Sequence, residues 1–246
     1  MFKKTLIVGG ANGIGLSIAM LLANHPETER IDIVDKQPLA DDYYHEKITS
    51  HVFDLTSDDY SIFNQFEDID SLLITAGFGR LALFENIPEE MISTYFNVNT
   101  IAPIRIIKHF YDKLQGESDF HCGVMVSIAG YLSSPFFSIY AATKAALRIF
   151  IESVNVELEK KGSNNKILNV SPGRIKGTSF YNEKSDLSQT IPLAKEIIRA
   201  MYEKDDLFIP QYEEIYKQVL ERYHSDFRAE GRHSYDYKVE SGRVKQ

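Results

Sequence analysis

A tyrosine and a lysine four residues apart, Tyr140 and Lys144 in Tyr-Ala-Ala-Thr-Lys, form the pair in this chain best suited to moving a proton. At that spacing on a helix both side chains leave from one face. An ammonium beside a phenol favours the phenolate and draws its pKa down from about 10 towards working pH, which makes Tyr140 a usable proton donor and acceptor. Ser127, at the end of a β-branched run 13 residues earlier, offers a hydroxyl able to hydrogen-bond a substrate carbonyl. Taken singly, each has an ordinary reading: a solvated helix face for the pair, a strand-end turn for the serine.

A second set of residues suits a dinucleotide. The apolar run Leu6-Ile7-Val8 leads straight into Gly9-Gly10-Ala11-Asn12-Gly13-Ile14-Gly15 and then a helical pattern. Glycines let backbone N–H groups approach a pyrophosphate, and a helix N-terminus adds partial positive charge. The spacing is G-x-x-x-G-x-G, not the G-x-G-x-x-G of the general dinucleotide fingerprint. Asp35 ends the next apolar run 20 residues after Gly15, where a carboxylate can accept both ribose hydroxyls and repel a 2′-phosphate. NAD is therefore favoured, with NADP possible because Lys36 follows at once. Asp54-Leu55 and Thr75-Ala76-Gly77 close the third and fourth runs, and are candidate adenine and ribose contacts.

The elements that would position these residues alternate. Strand-like runs at Thr5–Val8, Ile31–Val34, Ile48–Phe53, Leu72–Thr75, Val124–Ser127, Ile167–Val170 and Leu207–Ile209 are separated by helical patterns such as Ile14–Ala23, Pro88–Leu114 and Tyr140–Lys161. Alternation of this kind predicts an α/β fold with a mostly parallel, seven-stranded sheet and helices on both faces, in which ligands sit at the carboxyl ends of the strands. No linker divides the chain, so one domain is expected over 1–229. It includes a polar substrate loop at about 174–190 and a C-terminal helix at about 211–227 whose apolar face carries Tyr212, Ile215, Tyr216, Val219, Leu220 and Tyr223, for packing on the domain or on a partner subunit. Residues 230–246 lack periodicity and are expected to form a tail.

Composition narrows the function classes. The 246 residues carry 27 Lys and Arg against 35 Asp and Glu, a net charge of −8, which leaves no electrostatic footprint for nucleic acid. The single Cys122 cannot form an internal disulfide and fits a reducing, cytoplasmic setting. Two stretches free of formal charge, Thr5 to Pro26 and Phe120 to Thr143, are interrupted by glycines, serines and Pro135, so they read as buried segments and not as membrane spans. No metal site is expected.

Taken together, the glycine loop, Asp54, Ala76-Gly77, Val98-Asn99, Ser127-Ile128-Ala129-Gly130, Tyr140/Lys144 and Ser171-Pro172-Gly173 resemble the short-chain dehydrogenase/reductase family in order and spacing, over about Lys4 to Ile175. The resemblance implies a doubly wound, Rossmann-type domain and an NAD(P)-dependent oxidoreductase that transfers hydride reversibly between a secondary alcohol and a ketone. It implies Tyr140 as general acid/base and Ser127 as the group that positions the reacting oxygen. Lys144 would tune the tyrosine and hold the nicotinamide ribose. Asn99, favoured over Asn97, would fix a water that links the lysine to a proton relay. Pro172, Gly173 and Ile175 fall on the turn that meets the nicotinamide. Three departures stand out: Thr75 in place of a bracing Asn, Gly177 where a threonine is usual with Thr178 one place later, and a substrate loop that implies no particular ligand.

Phe78, Phe136, Phe137, Phe180 and Tyr181 flank the expected pocket and suggest a largely apolar substrate, although Arg80, Arg174 and Lys176 could meet a carboxylate. In the family, the helices equivalent to Pro88–Leu114 and Tyr140–Lys161 pair across a two-fold axis. Apolar residues on several sides of them (Tyr95, Ile106, Phe110, Leu147, Phe150 and Val154) support a homodimer or homotetramer. The alternatives are an NADP-dependent carbonyl reductase and a catalytically idle dinucleotide-binding regulator.

Overall fold

In a computed structural model, which describes residues 2–178, 180 and 185–244, seven strands form one sheet. They are β1 (Lys4–Val8), β2 (Arg30–Asp35), β3 (Ile48–Val52), β4 (Ser71–Ile74), β5 (His121–Met125), β6 (Ile167–Val170) and β7 (Leu207–Phe208), in the order β3-β2-β1-β4-β5-β6-β7. Every pairing is parallel, so the expected mostly parallel sheet is parallel throughout. The order reverses between β1 and β4, where Val8 pairs with Ile74, and this opens a crevice beyond their carboxyl ends.

Pleating sends alternate residues to opposite layers. Leu6 and Val8 join Phe63, Phe66, Ile106, Phe110, Leu147 and Ile151 on one side, while Ile7 joins Ile18, Leu22, Ile197 and Met201 on the other. The first layer is built by α3 (Ala102–His109) and α5 (Ser138–Lys160), the second by α1 (Gly13–Ala23) and α6 (Leu187–Tyr202).

Three helical expectations change. The 88–114 pattern is not one helix: α2 (Glu89–Phe96) passes through a π turn at Asn97–Ile101 into α3, and the backbone breaks at Phe110 before α4 (Tyr111–Gln115). The apolar surplus assigned to the pairing helices is largely consumed within the chain, since Tyr95, Ile106, Phe110, Leu147 and Val154 are all buried. The third change lies at the C-terminus. A π turn at Tyr212–Tyr216 leads into α7 (Lys217–Ser225), and the stretch expected as a tail is helical, α8 running from Phe227 to Glu240. No residue of the 212–225 face is buried; Tyr216, Val219, Leu220 and Tyr223 are half-buried. Among the described residues no helix is long and apolar enough to cross a membrane.

Candidate active site

β1 delivers the chain into Gly9, whose φ of +90° and close approach to the next turn both exclude a side chain. A Cβ there would collide with the backbone of Ala76, and one on Gly15 would collide with the Gly9 carbonyl and come 2.5 Å from Thr75 Oγ1. The glycine loop and the Thr75-Ala76-Gly77 turn are thus pressed together at the mouth of the crevice. Thr75, which stands where an asparagine is usual, still ties the turn to β1: its single hydroxyl proton is shared between the carbonyls of Gly9 (2.8 Å) and Val8 (3.3 Å).

Asn12 enters α1 in extended conformation with no side-chain cap bond, and the first turn of α1 holds no acidic residue. Its N–H groups and partial positive charge are therefore left for an acceptor outside the helix. Ile14 is half-buried in that turn. From across the crevice Thr178, buried, places its Cβ 3.5 Å from the point where a Cβ on Gly13 would lie. The displaced threonine still reaches the glycine loop, which the sequence spacing did not show.

Asp35 sits at the end of β2 with both oxygens engaged: Oδ2 accepts from Ala11 N at 3.0 Å and Oδ1 from Gln37 N at 3.1 Å. The turn-forming role and the loop-facing role coexist in one side chain, and each carboxylate oxygen retains a further lone pair. Lys36, largely exposed, lies 3.7 Å from Asp54. Asp54 accepts from Thr56 N (2.9 Å) and Thr56 Oγ1 (2.8 Å); these bonds, aided by Lys36, hold its carboxyl below the usual range. Leu55, beside it, accepts the Tyr60 hydroxyl at its carbonyl. A turn of backbone donors at a helix N-terminus, with a carboxylate one strand away, fits a dinucleotide.

The residues expected to carry the reaction lie on the neighbouring elements. Tyr140 and Lys144 rise from the first turns of α5, both buried. The Lys144 ammonium lies 5.9 Å from the Tyr140 ring centre and donates to the Met125 carbonyl at 2.8 Å. It lies 3.3 Å from where a Cβ on Gly77 would project, so a bulkier residue in the Ala76-Gly77 turn would crowd it. Burial draws its pKa down to about 7. Asn99 is wholly buried in the π turn, whereas Asn97 is half-exposed. The Asn99 amide grips the backbone of Phe78 at both ends, accepting from its N–H (3.0 Å) and donating to its carbonyl (2.9 Å), and reaches Thr143 Oγ1 at 3.3 Å. Ser127 Oγ accepts from Ala129 N at 3.1 Å. Its neighbour Ile128 N donates to Pro172 O at 3.0 Å, which ties the serine turn to the Pro172-Gly173 turn. Pro172 is buried, Gly173 and Ile175 half-buried. Thr143, one position before Lys144 and not singled out in the sequence, is the link between Asn99 and α5.

Tyr140 packs among aromatic rings. Phe137 and Phe180 each lie 5.3 Å from its ring, and Phe78 stacks on Tyr95 at 4.6 Å within the same cluster. Phe136 does not join them: it is buried against Tyr235 of α8, ring centres 4.6 Å apart. Arg80, Arg174 and Lys176 are exposed. Tyr181 lies outside the described residues. Among those described, no group of three His, Cys, Asp or Glu residues could hold a metal.

Residues 3–188 match the short chain dehydrogenase family. The chain is 25% identical to bovine retinol dehydrogenase 8 over 231 residues, which is 88% of this chain and 73% of that protein. Against the human form the match spans 63% of this chain and 54% of that protein at 28% identity. Human 17-beta-hydroxysteroid dehydrogenase type 1 is 23% identical over 68% of this chain and 56% of its own length. Among solved structures, a short-chain dehydrogenase from Streptomyces avermitilis superposes with a TM-score of 0.76 at 20% identity, covering 98% of this chain and 100% of that one. One from Burkholderia cenocepacia, in complex with NADP, also gives 0.76 at 16% identity, covering 94% and 97%.

Proposed function

The chain belongs to the short-chain dehydrogenase family and is a nicotinamide-dinucleotide-dependent oxidoreductase acting on CH–OH groups; from that premise we propose that it interconverts a largely apolar secondary alcohol and its ketone, with Tyr140 as the proton carrier. The observation that carries the reading is that Lys144 lies beside Tyr140 and meets Asn99 at Gly77, with Phe137 and Phe180 closing over the tyrosine and Ser127 bonded to Ala129 of the same cluster. Relatives named for retinol and for a hydroxysteroid agree with an apolar substrate.

Gly9, Asn12, Gly13, Ile14 and Gly15 would hold the pyrophosphate, Asp35 the adenosine ribose, and Asp54, Leu55, Ala76 and Gly77 the adenine side. Pro172, Gly173 and Ile175 would meet the nicotinamide and Lys144 its ribose. When bound, the dinucleotide supplies the hydride acceptor or donor. Tyr140 takes the alcohol proton at its phenol oxygen in oxidation and returns it in reduction, and Ser127 donates a hydrogen bond to the reacting oxygen. Lys144, in its ammonium form, favours the phenolate. Asn99 acts on the reaction by fixing the backbone at Phe78, next to Gly77 and the lysine.

NAD is preferred on the strength of Asp35 alone; several solved relatives carry NADP or NADPH. A cytoplasmic setting is supported by Cys122, buried and unpaired. Homodimers or homotetramers would form through α5. The test of the chemistry is the absorbance at 340 nm with NAD or NADP and a panel of secondary alcohols of increasing apolar size. Dinucleotide binding without turnover on any of them would favour the idle regulator.

A further inference from the structure

The C-terminal segment, from the π turn at Tyr212–Tyr216 through α7 and α8, touches both the Gly173 turn and the loop that leads into α5. At one end the Tyr216 hydroxyl lies over Gly173, so that any side chain at that position would collide with it. At the other, α8 grips the segment between Ser127 and Tyr140. Tyr235 packs on Phe136, and the Lys238 ammonium donates to Ser134 Oγ (2.9 Å), to the Pro135 carbonyl (2.8 Å) and to Ser234 Oγ on its own helix (3.1 Å). Those three bonds use all three of its protons. The same ammonium lies 5.7 Å from the Phe137 ring centre, and Phe137 is one of the two rings against Tyr140.

A lysine is a costly anchor here. Lys238 is 7% exposed, and no carboxylate pairs with it among the described residues. Burial first, and then the like charge of Arg243, draw its pKa down to about 8. Were the segment only to be held down, an apolar side chain of similar length would serve at less expense of desolvation. What the ammonium provides and an apolar chain cannot is a directed hold on two consecutive loop residues.

We propose that Lys238 is a positioning residue for the reaction: by fixing Ser134 and Pro135 it sets Phe137, and so holds the Tyr140 ring in place between Phe137 and Phe180. The proposal rests on the alcohol–ketone reading for its kinetic consequence but not for its structural one, and the two are tested separately. Hydrogen exchange followed by mass spectrometry reads the hold itself. In Lys238→Met, residues 133–140 exchange faster while residues 9–15 exchange as in the wild type. With 1-tetralol as the probe alcohol, kcat falls about tenfold in Lys238→Met while the affinity for NADH, read by its fluorescence, stays within about twofold. Lys238→Arg, which keeps charge and donors, restores kcat to within about threefold of wild type. Ser134→Ala removes one acceptor from the opposite side without touching the lysine, and moves both readouts in the same direction by less; it decides the matter if Lys238→Met does not fold. Unchanged exchange over 133–140 overturns the proposal, and so does a parallel loss of turnover and NADH affinity, which would mean a general collapse of the site. Wild-type protein inert towards every alcohol counts against the alcohol–ketone reading, while exchange still decides on Lys238.

Discussion

At the scale of single residues, Lys144 shows how a site can be kept at the expense of stability. Lys144 is 2% exposed, its ammonium donates to the neutral Met125 carbonyl, and burial draws its pKa from 10.5 to about 7. Below about pH 7 the folded chain holds that charge in full against its desolvation. Between about 7 and 10.5 the unfolded chain binds the extra proton, so this group's contribution to stability rises with pH across that window. Replacing it with an apolar side chain of similar length removes the penalty where it is largest. Lys144→Met at pH 6.5 is therefore expected to melt a few degrees higher than wild type, at roughly 2–4 °C per kcal/mol for a chain of this size. The same variant loses turnover and dinucleotide affinity together, because the lysine serves both. A lower melting temperature at that pH would show that the buried ammonium has compensating partners. Tyr140→Phe separates the roles: it keeps the ring between Phe137 and Phe180 and removes the proton carrier. Turnover should fall ~10²–10⁴-fold with dinucleotide affinity nearly unchanged. Near-normal turnover in that variant would mean that the proton leaves by another route.

At the scale of elements, the glycine loop, the end of β2 and the turn after β4 act as one unit, since Asp35 holds Ala11, Thr75 holds Gly9, and Gly9 lies against Ala76. Asp35→Ala should weaken NAD binding by about tenfold or more, the scale of losing hydrogen bonds to a charged acceptor, and NADP binding by less, because the carboxylate also repels a 2′-phosphate. Titration of both dinucleotides checks it, and wild-type protein that binds NADP as tightly as NAD would defeat the ribose argument. These elements were legible in the sequence because each has a local signature: β-branched runs, glycines at turns, an acid where a strand stops. Two others were not. The 88–114 pattern reads as one helix because apolar periodicity continues through it, yet the backbone opens into a π turn where Asn99 turns inward to hold Phe78. Helix α8 has no apolar stripe to read. It starts on the Asp226 cap, which accepts from Arg228 and Ala229, and is tied by the Arg222–Glu230 ion pair and by Lys238. Polar anchoring of that kind leaves no periodicity, so the segment reads as a tail. The approach of Thr178 to Gly13 was not legible for a related reason, since spacing along a loop does not say where its residues point.

At the scale of the whole molecule, the side chains that an oligomer would use are not the buried ones of the long helices. The apolar side chains that the sequence presents as a surplus on the long helices are mostly core, and what α5 leaves outside is a separate stripe. Ala142, Ala146, Ile149, Ser153 and Val156 are all exposed and recur at helical spacing along one face of α5, and Ile101 of the π turn is exposed as well. Ile149 and Val156 are 51% and 56% exposed. Small residues between branched ones let two helices approach closely, and a two-fold axis through the stripe would set each copy's isoleucine and valine against the other's. Such a surface is self-complementary without a charged residue on the stripe, so association should persist at high salt, unlike a contact made by ion pairs. Light scattering at micromolar concentration is expected to give a multiple of 28.1 kDa. Ile149→Arg, which puts two like charges face to face on the axis, should return the mass to that of one chain while leaving the melting of the chain itself little changed, since the site is exposed in the monomer. A wild-type mass of one chain would end the proposal. An oligomer untouched by Ile149→Arg would place the contact elsewhere, with the half-buried face of α7 as the next surface to substitute.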